Sequence, residues 1–255
     1  MKYLIIIVAG YMLGSLNMAI FTSKLLGGDV RDHGSGNPGA TNMARIYGMR
    51  SAIFTLMGDM LKSVAAIWLG YLLCAEAGFA AGGIACMLGH CFPVFHGFHG
   101  GKGVAVGGIV ALMIDWRVGL CTVAAFLIVS FLTKKVSLGS CSGAVAIVAS
   151  SWLLGVGRAR MVLAVVSALI VLVQHRNNLR RVIKGTEPDF KAAKPAPPTP
   201  RSIERPFNII KRTSEKPKSF FVQLPVTPVL PITAAAFLSA PSGGGIWAAC
   251  RSPCG

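Results

Sequence analysis

Long apolar runs with almost no charge are the feature that most constrains what this chain can fold into. A helix needs about 20 mostly apolar residues to cross the hydrocarbon core of a bilayer. Charged residues make up only 13% of the chain, whereas soluble domains carry roughly 25%. Because backbone polar groups in lipid must be satisfied within the spanning segment itself, runs of this length predict an all-α integral membrane protein.

The apolar runs predict seven transmembrane helices. Residues 104–133 are too many for one crossing, and an Asp-Trp-Arg sequence at 115–117 interrupts them, so we assign two helices there, the first short or tilted. The other five candidates cover residues 3–26, 52–73, 75–95, 138–156 and 159–173. Proline and polar residues dominate from about residue 192, which predicts a membrane domain over 1–191 and a disordered tail over 192–255.

The distribution of basic residues predicts the orientation of these helices. Lys and Arg are enriched in cytoplasmic loops. The odd-numbered loops and the end of the last helix carry most of them, and the even-numbered loops hold only Arg117, Arg158 and Arg160. We therefore expect the N-terminus outside and the C-terminus in the cytoplasm. An anionic partner is a second explanation for the net charge of +16, but nucleic acid is disfavoured because the basic residues are spread over short loops.

A polar loop, HGSGNPGATNMAR at residues 33–45, lies between the first two apolar runs. Its glycines permit left-handed turns, in which successive N–H groups form concavities that bind anions. An arginine in such a loop adds a planar fork that matches phosphate. The loop therefore predicts a phosphate site, with an ordinary turn-rich loop as the alternative. The expected donors are Ser35, Gly36, Asn37, Thr41, Asn42 and Arg45.

A second glycine-rich loop precedes the helix that begins at Val104. Free N–H groups and the helix dipole make a helix N-terminus a seat for phosphate. The loop is not a nucleotide P-loop, because His96 stands where the first glycine should be and a glycine follows the lysine. A flexible connection is the alternative to phosphate binding. The candidate residues are Gly100, Gly101, Lys102 and Gly103.

Three charged residues are expected to form structural ion pairs. Asp59 and Lys62 lie at i, i+3 spacing on one helix, and charges within a membrane segment mark either an internal pair or a site. We favour a pair, which could also hold a phosphate loop in place. Glu187 stands among many basic residues, so a salt bridge is favoured over a catalytic role.

Three further polar residues are catalytic candidates. Ser140 opens the sixth predicted helix, where a hydroxyl can also serve only as a helix cap. His175 lies at the end of the last helix as a base or as an interfacial residue. Asn178, three residues on, can face the same loops.

Together these motifs resemble the bacterial acyl-phosphate-dependent glycerol-3-phosphate acyltransferases, the PlsY family. The resemblance covers roughly residues 1–190. The matching pieces are SGNPGATN at 35–42 with Arg45, GH-x-FP at 89–93, GGKGVA at 100–105, SL-x-S at 137–140, HR-x-N at 175–178 and G-x-E at 185–187.

The resemblance implies a multi-pass enzyme of the bacterial inner membrane that acts in the first step of phospholipid synthesis. It would transfer an acyl chain from acyl-phosphate to the 1-hydroxyl of glycerol 3-phosphate, giving lysophosphatidic acid and phosphate without a metal or cofactor. It also implies a functional link to an enzyme that makes acyl-phosphate from acyl carrier protein. His175, Asn178 and Ser140 would contact substrate, and the base would be either a substrate phosphate or His175.

A membrane transporter of phosphate or organophosphate is the rival hypothesis. Such transporters are usually built from two repeats with broken helices near the bilayer midplane. The sequence shows no such repeat, and its polar loops are expected on one face of the membrane.

Overall fold

The computed structural model describes residues 1–189, and this part of the chain is helical without β-strands, as predicted. The predicted tail over 192–255 lies outside the described residues. Two 3-10 turns, Val30–Asp32 and Val94–His96, flank the polar and glycine-rich loops. The α-helices are α1 (Lys2–Ser15), α2 (Met18–Leu25), α3 (Ala40–Cys91), α4 (Val104–Ile114), α5 (Trp116–Thr133), α6 (Val136–Leu153), α7 (Arg158–Gln174) and α8 (Arg176–Ile183).

The long helix α3 folds back on itself. Its backbone leaves helical angles at Gly48 and again at Cys74 and Ala75, where φ is −146° and 45°. Beyond that point Gly78 packs against the backbone of Gly70, so residues 49–73 and 76–91 run antiparallel. The helices predicted over 52–73 and 75–95 therefore exist, with their boundary where the sequence placed it.

Glycines let the helices approach each other closely. A Cβ on Gly14 would collide with the carbonyl of Cys86, and one on Gly89 would meet the carbonyl of Tyr11. The same holds for Gly82 against the carbonyl of Ala66. Helices in lipid gain little from the hydrophobic effect between them, so close backbone packing at small residues is a main source of association.

Within residues 1–189, four helical stretches are long and apolar enough to cross a membrane, or five if the α7–α8 pair, bent by 54°, counts as one. They are Lys2–Leu25, Ala40–His96, Trp116–Thr133 and Val136–Leu153. Helix α4 is apolar but has only 11 residues, which agrees with the short first half expected for 104–133. Large apolar side chains such as Phe131 and Leu72 are more than 70% exposed, as on a surface that faces lipid.

Arg160, one of the three exceptions to the predicted charge bias, is neutralised within the fold. Its guanidinium forms two 2.9 Å bonds to the carboxylate of Glu76 and donates to the carbonyl of Ile114 at 2.8 Å. It also lies 5.3 Å from the ring centroid of Phe79. This residue therefore joins α3, α4 and α7, and its position follows from internal pairing.

We expect Gly82→Ala to lower the Tm of the purified protein, although alanine is the better helix former by roughly 0.5–1 kcal/mol. The added methyl would meet the carbonyl of Ala66, and overpacking typically costs about 1–3 kcal/mol. Gly108→Ala is the matched control, because a Cβ there has no atom within 4 Å. Thermal unfolding in detergent measures both, and equal Tm values for the two variants would contradict this packing argument.

Candidate active site

A cavity of about 500 Å³ lies where the polar loop after α2, the glycine-rich loop before α4, and the adjoining ends of α6 and α7 come together. Its remaining wall is largely apolar, so a polar end continues into an apolar chamber between α3, α4, α5, α6 and α7. Predicted substrate-binding or catalytic residues that line it are Ser35, Asn37, Thr41, Asn42, Arg45, Lys102, Gly103, Ser140 and His175.

Asn42 shapes the polar loop instead of offering a free donor. Its Nδ2 donates to the carbonyls of Val30 and His33, both at 3.0 Å. Its Oδ1 accepts the N–H of Ser35 at 3.1 Å. The residue is 1% exposed, so all its polar atoms serve the loop. The structure thus gives Asn42 a supporting role in place of the predicted direct contact with phosphate.

Gly36, Gly100 and Gly101 were predicted to donate their N–H groups to phosphate, but these groups donate to backbone carbonyls of the protein. None of the three glycines lines the cavity. The two glycines before Lys102 instead fasten their loop to the end of α3. The bonds are Gly36 to His33 (3.0 Å), Gly100 to Cys91 (3.2 Å) and Gly101 to His90 (3.1 Å).

Gly103 differs from these glycines, because it lines the cavity at the start of α4. Its φ of 76° is left-handed, which glycine adopts without a steric cost. Val104 and Ala105, the first residues of α4, also line the cavity. The first N–H groups of a helix have no partner within it, so this end of α4 presents donors and a partial positive charge to the cavity.

Asn17, which the sequence did not single out, connects the break between α1 and α2 to the polar loop. Its Nδ2 donates to the carbonyl of Pro38 at 3.3 Å, and its Oδ1 accepts the N–H of Ile20 at 3.1 Å. The residue is 1% exposed. It caps α2 and also positions the loop segment that carries Asn37.

A buried ionic cluster lies beside the same break. Lys62 Nζ is 2.8 Å from Asp59 Oδ1 and donates to the carbonyls of Gly14 at 2.9 Å and Leu16 at 2.7 Å. His90 Nδ1 lies 3.2 Å from Lys62 Nζ. Asp59 and His90 border the cavity, and Lys62 does not. The ion pair proposed from sequence is therefore present, and His90 is a member that the sequence did not assign.

Lys102 is held by a chain of hydrogen bonds that reaches α8. Its Nζ donates to Asn178 Oδ1 at 2.5 Å, and Asn178 Nδ2 donates to Glu187 Oε1 at 2.7 Å. Glu187 Oε2 accepts from Arg181 Nε at 2.7 Å. Lys135 donates to the carbonyl of Glu187 at 2.7 Å. Asn178 and Glu187 thus orient Lys102 from outside the cavity wall.

The polar end of the cavity is electropositive. Burial, with the charges of Arg181 and Arg45 nearby, lowers the pKa of Lys102 below its ordinary value. None of the ion pairs within residues 1–189 involves Arg45. A bound phosphate would supply the missing negative charge and favour the charged form of Lys102.

His175 and Ser140 both line the cavity, and each has a hydrogen bond to the backbone four residues earlier. His175 Nδ1 lies 2.8 Å from the carbonyl of Val171, and since a carbonyl only accepts, Nδ1 carries the hydrogen in this contact. Nε2 of the neutral ring is then an acceptor. Ser140 Oγ donates to the carbonyl of Val136 at 2.9 Å. This bond lies within the helix, so Ser140 is not a cap for its N-terminus.

The comparison with known families decides what kind of protein carries this site. The family model described as Glycerol-3-phosphate acyltransferase matches residues 4–185. The chain belongs to the glycerol-3-phosphate acyltransferase family. Its resemblance to PlsY, expected from the motifs, is confirmed.

Individual relatives agree with this membership. The chain is 40% identical to a glycerol-3-phosphate acyltransferase of Thioalkalivibrio sulfidiphilus (strain HL-EbGR7), over 72% of this chain and 91% of the relative. It is 39% identical to that of Symbiobacterium thermophilum, over 71% and 90%. A crystal structure of PlsY (YgiH), an integral membrane glycerol 3-phosphate acyltransferase, in its glycerol 3-phosphate form has a TM-score of 0.71 and 30% identity, covering 75% of this chain and 96% of that one.

We expect Glu187→Gln to lower Tm by several degrees near neutral pH, because hydrogen bonds to charged groups contribute about 1.5–3 kcal/mol each. Burial by itself raises the pKa of Glu187, but the bonds from Asn178 and Arg181 outweigh it and bring the pKa below the ordinary 4.5. Its carboxylate therefore stabilises the fold above that pH, and this contribution is lost as the pH falls through the lowered pKa.

The Tm difference between wild type and Glu187→Gln should accordingly shrink below about pH 4.5, as thermal unfolding across pH measures. Asp189→Asn is the matched control, since Asp189 is an acid two residues away whose side chain is 47% exposed. A Tm difference that stays constant from neutral to acidic pH would contradict the assignment.

Proposed function

We propose that the chain transfers an acyl group from acyl-phosphate to the 1-hydroxyl of sn-glycerol 3-phosphate, giving lysophosphatidic acid and inorganic phosphate as the first step of phospholipid synthesis. The observation that carries this proposal is the cavity, whose cationic end with Arg45 and Lys102 continues into an apolar chamber. Both substrates carry phosphate, and only the donor carries a long apolar chain.

The phosphates would be held at the cationic end. Arg45 offers a planar fork, Lys102 a point charge, and the start of α4 its free N–H groups. Ser35, Asn37 and Thr41 lie on the same wall as additional donors. These groups neutralise two anionic substrates that would otherwise repel each other, which brings the acceptor hydroxyl to the donor carbonyl.

The reaction requires no protein nucleophile, because acyl-phosphate is already activated. The 1-hydroxyl oxygen attacks the carbonyl carbon, the bond from that carbon to the phosphate oxygen breaks, and phosphate leaves. Donors aimed at the carbonyl oxygen would stabilise the charge that develops there. We propose that a substrate phosphate accepts the hydroxyl proton, with His175 Nε2 as the alternative base.

The reacting groups would be positioned by side chains around the leaving phosphate. Ser140 and His175 line the cavity directly, and Asn178 acts by orienting Lys102. No residue in this scheme forms a covalent intermediate, and neither a metal nor a cofactor takes part. The donor would come from an enzyme that makes acyl-phosphate from acyl carrier protein.

We propose seven membrane crossings in the inner membrane, with the N-terminus outside and the active site facing the cytoplasm. The reversal of α3 at Cys74 and Ala75 supports counting it as two crossings, and α4 with α5 as two more. The enzyme domain would cover residues 1–191, in keeping with the family match over 4–185.

Cysteine labelling tests this orientation. In a variant in which all seven native cysteines are replaced by alanine, Arg117→Cys should react with a membrane-impermeant maleimide in intact cells. Lys134→Cys should react only after the cells are permeabilised. The reverse pattern would refute the proposed orientation.

The donor assay tests the reaction. Purified protein should form lysophosphatidic acid from palmitoyl-phosphate and glycerol 3-phosphate, with equal release of phosphate, and should form none from palmitoyl-CoA. Mass spectrometry measures the lipid product. No product from palmitoyl-phosphate, or uptake of glycerol 3-phosphate into liposomes without acylation, would overturn the proposal.

Substitutions of Arg45 and Lys102 test whether these two cations bind the substrate phosphates. Lys102→Ala and Arg45→Ala should each reduce kcat/KM by about 100-fold, since removing one preorganised charge-stabilising group typically costs 10²–10³. Lys24→Ala, on an exposed cation that does not line the cavity, should retain activity.

A further inference from the structure

Gly108 has no packing reason to be glycine. Within residues 1–189 it is the one glycine with a helical backbone whose added Cβ would have no atom within 4 Å. Glycine in a helix interior is less stable than alanine. Gly14 and Gly89, by contrast, each touch the backbone of a neighbouring helix. No protein atom fills the space beside Gly108, although a glycine at this position makes α4 less stable than an alanine would.

That space belongs to the apolar chamber. Gly108 lines the cavity together with its neighbour Gly107, whose added Cβ would make only ordinary contacts, the nearest at 3.5 Å to Met87. Lys102 lies just before α4, and Gly108 is four residues past the first residue of that helix, about 6 Å along its axis at 1.5 Å per residue. A ligand whose phosphate is bound at Lys102 would extend its apolar part past Gly108.

The chamber also reaches the outer surface of the helices. Leu56, Leu112, Val123 and Leu127 line it, and they are 37%, 40%, 40% and 57% exposed. A surface that is apolar and exposed on a membrane protein faces lipid. The chamber thus suits a flexible hydrocarbon chain that enters from the bilayer.

We propose that Gly108 determines which acyl chains the enzyme accepts, because its missing side chain leaves the passage that a long chain occupies. This inference rests on the proposed function. The room beside Gly108 is needed by a long chain and not by a chain that ends before it. A larger residue there would exclude long donors and spare short ones.

A graded series of variants tests this inference: Gly108→Ala, Gly108→Val and Gly108→Leu. Each is given an equimolar mixture of butanoyl-phosphate and palmitoyl-phosphate with glycerol 3-phosphate, and the two products are quantified by mass spectrometry. Such competition reports the ratio of kcat/KM values directly. We expect the ratio to move toward the short chain with the size of the side chain, by at least about 10-fold for leucine.

Gly157→Leu is the matched control. Its added Cβ also meets open space and its φ is −59°, but it does not line the chamber. Its product ratio should equal that of wild type. Gly108→Ala adds only one methyl to a helix and keeps the test informative if larger variants fold poorly.

The outcomes separate the two proposals. Wild type that uses neither acyl-phosphate refutes the proposed function. Wild type that uses both, with a product ratio unchanged across the Gly108 series or with equal loss of both products, leaves the proposed function standing and overturns the role of Gly108.

Discussion

The buried ammonium group of Lys62 is the constraint on which the active-site architecture depends. A cation inside a membrane helix is costly unless it is paired and hydrogen-bonded. Here it pairs with Asp59 and donates to the carbonyls of Gly14 and Leu16, which the end of α1 leaves without helical partners. The compensation of one charge therefore fixes where α1 ends and where α2 begins.

Both loops that line the polar end of the cavity are attached to this fixed point. Asn17, next to Leu16, holds the carbonyl of Pro38 and hence the polar loop. His90 contacts Lys62 through its ring and accepts the N–H of Gly101 through its carbonyl, which places the residue before Lys102. Hydrogen bonds and one ion pair among the helices thus set the relative position of the two loops. Side chains of the loops that take no part in these bonds can face the cavity.

The cations that line the cavity disfavour one another's charged forms, so the charge of Lys102 has to be stabilised by neighbouring groups. Lys102 stands near Arg45 and Arg181, and burial adds to the tendency of this lysine to lose its proton. Asn178 accepts a hydrogen bond from Lys102 and in turn donates to Glu187, whose negative charge favours the charged form of this lysine. The apolar chamber lies beside this cationic end, so the cavity is complementary to a ligand with an anionic head and a hydrocarbon tail.

The sequence by itself determined the helical class, the break between 73 and 75, the short helix after 103, and the motifs that identify the family. These follow from local quantities: run length, hydropathy, glycine and charge. Only the tertiary structure decided which polar groups remain available. Asn42, Gly36, Gly100 and Gly101 have the chemistry of phosphate donors, yet carbonyls brought beside them by folding use those donors. Asn17 and His90 lie inside apolar runs, and their roles depend on partners 21 and 28 residues away. A sequence shows which groups can form a hydrogen bond, whereas the fold decides which of those groups already have a partner within the protein.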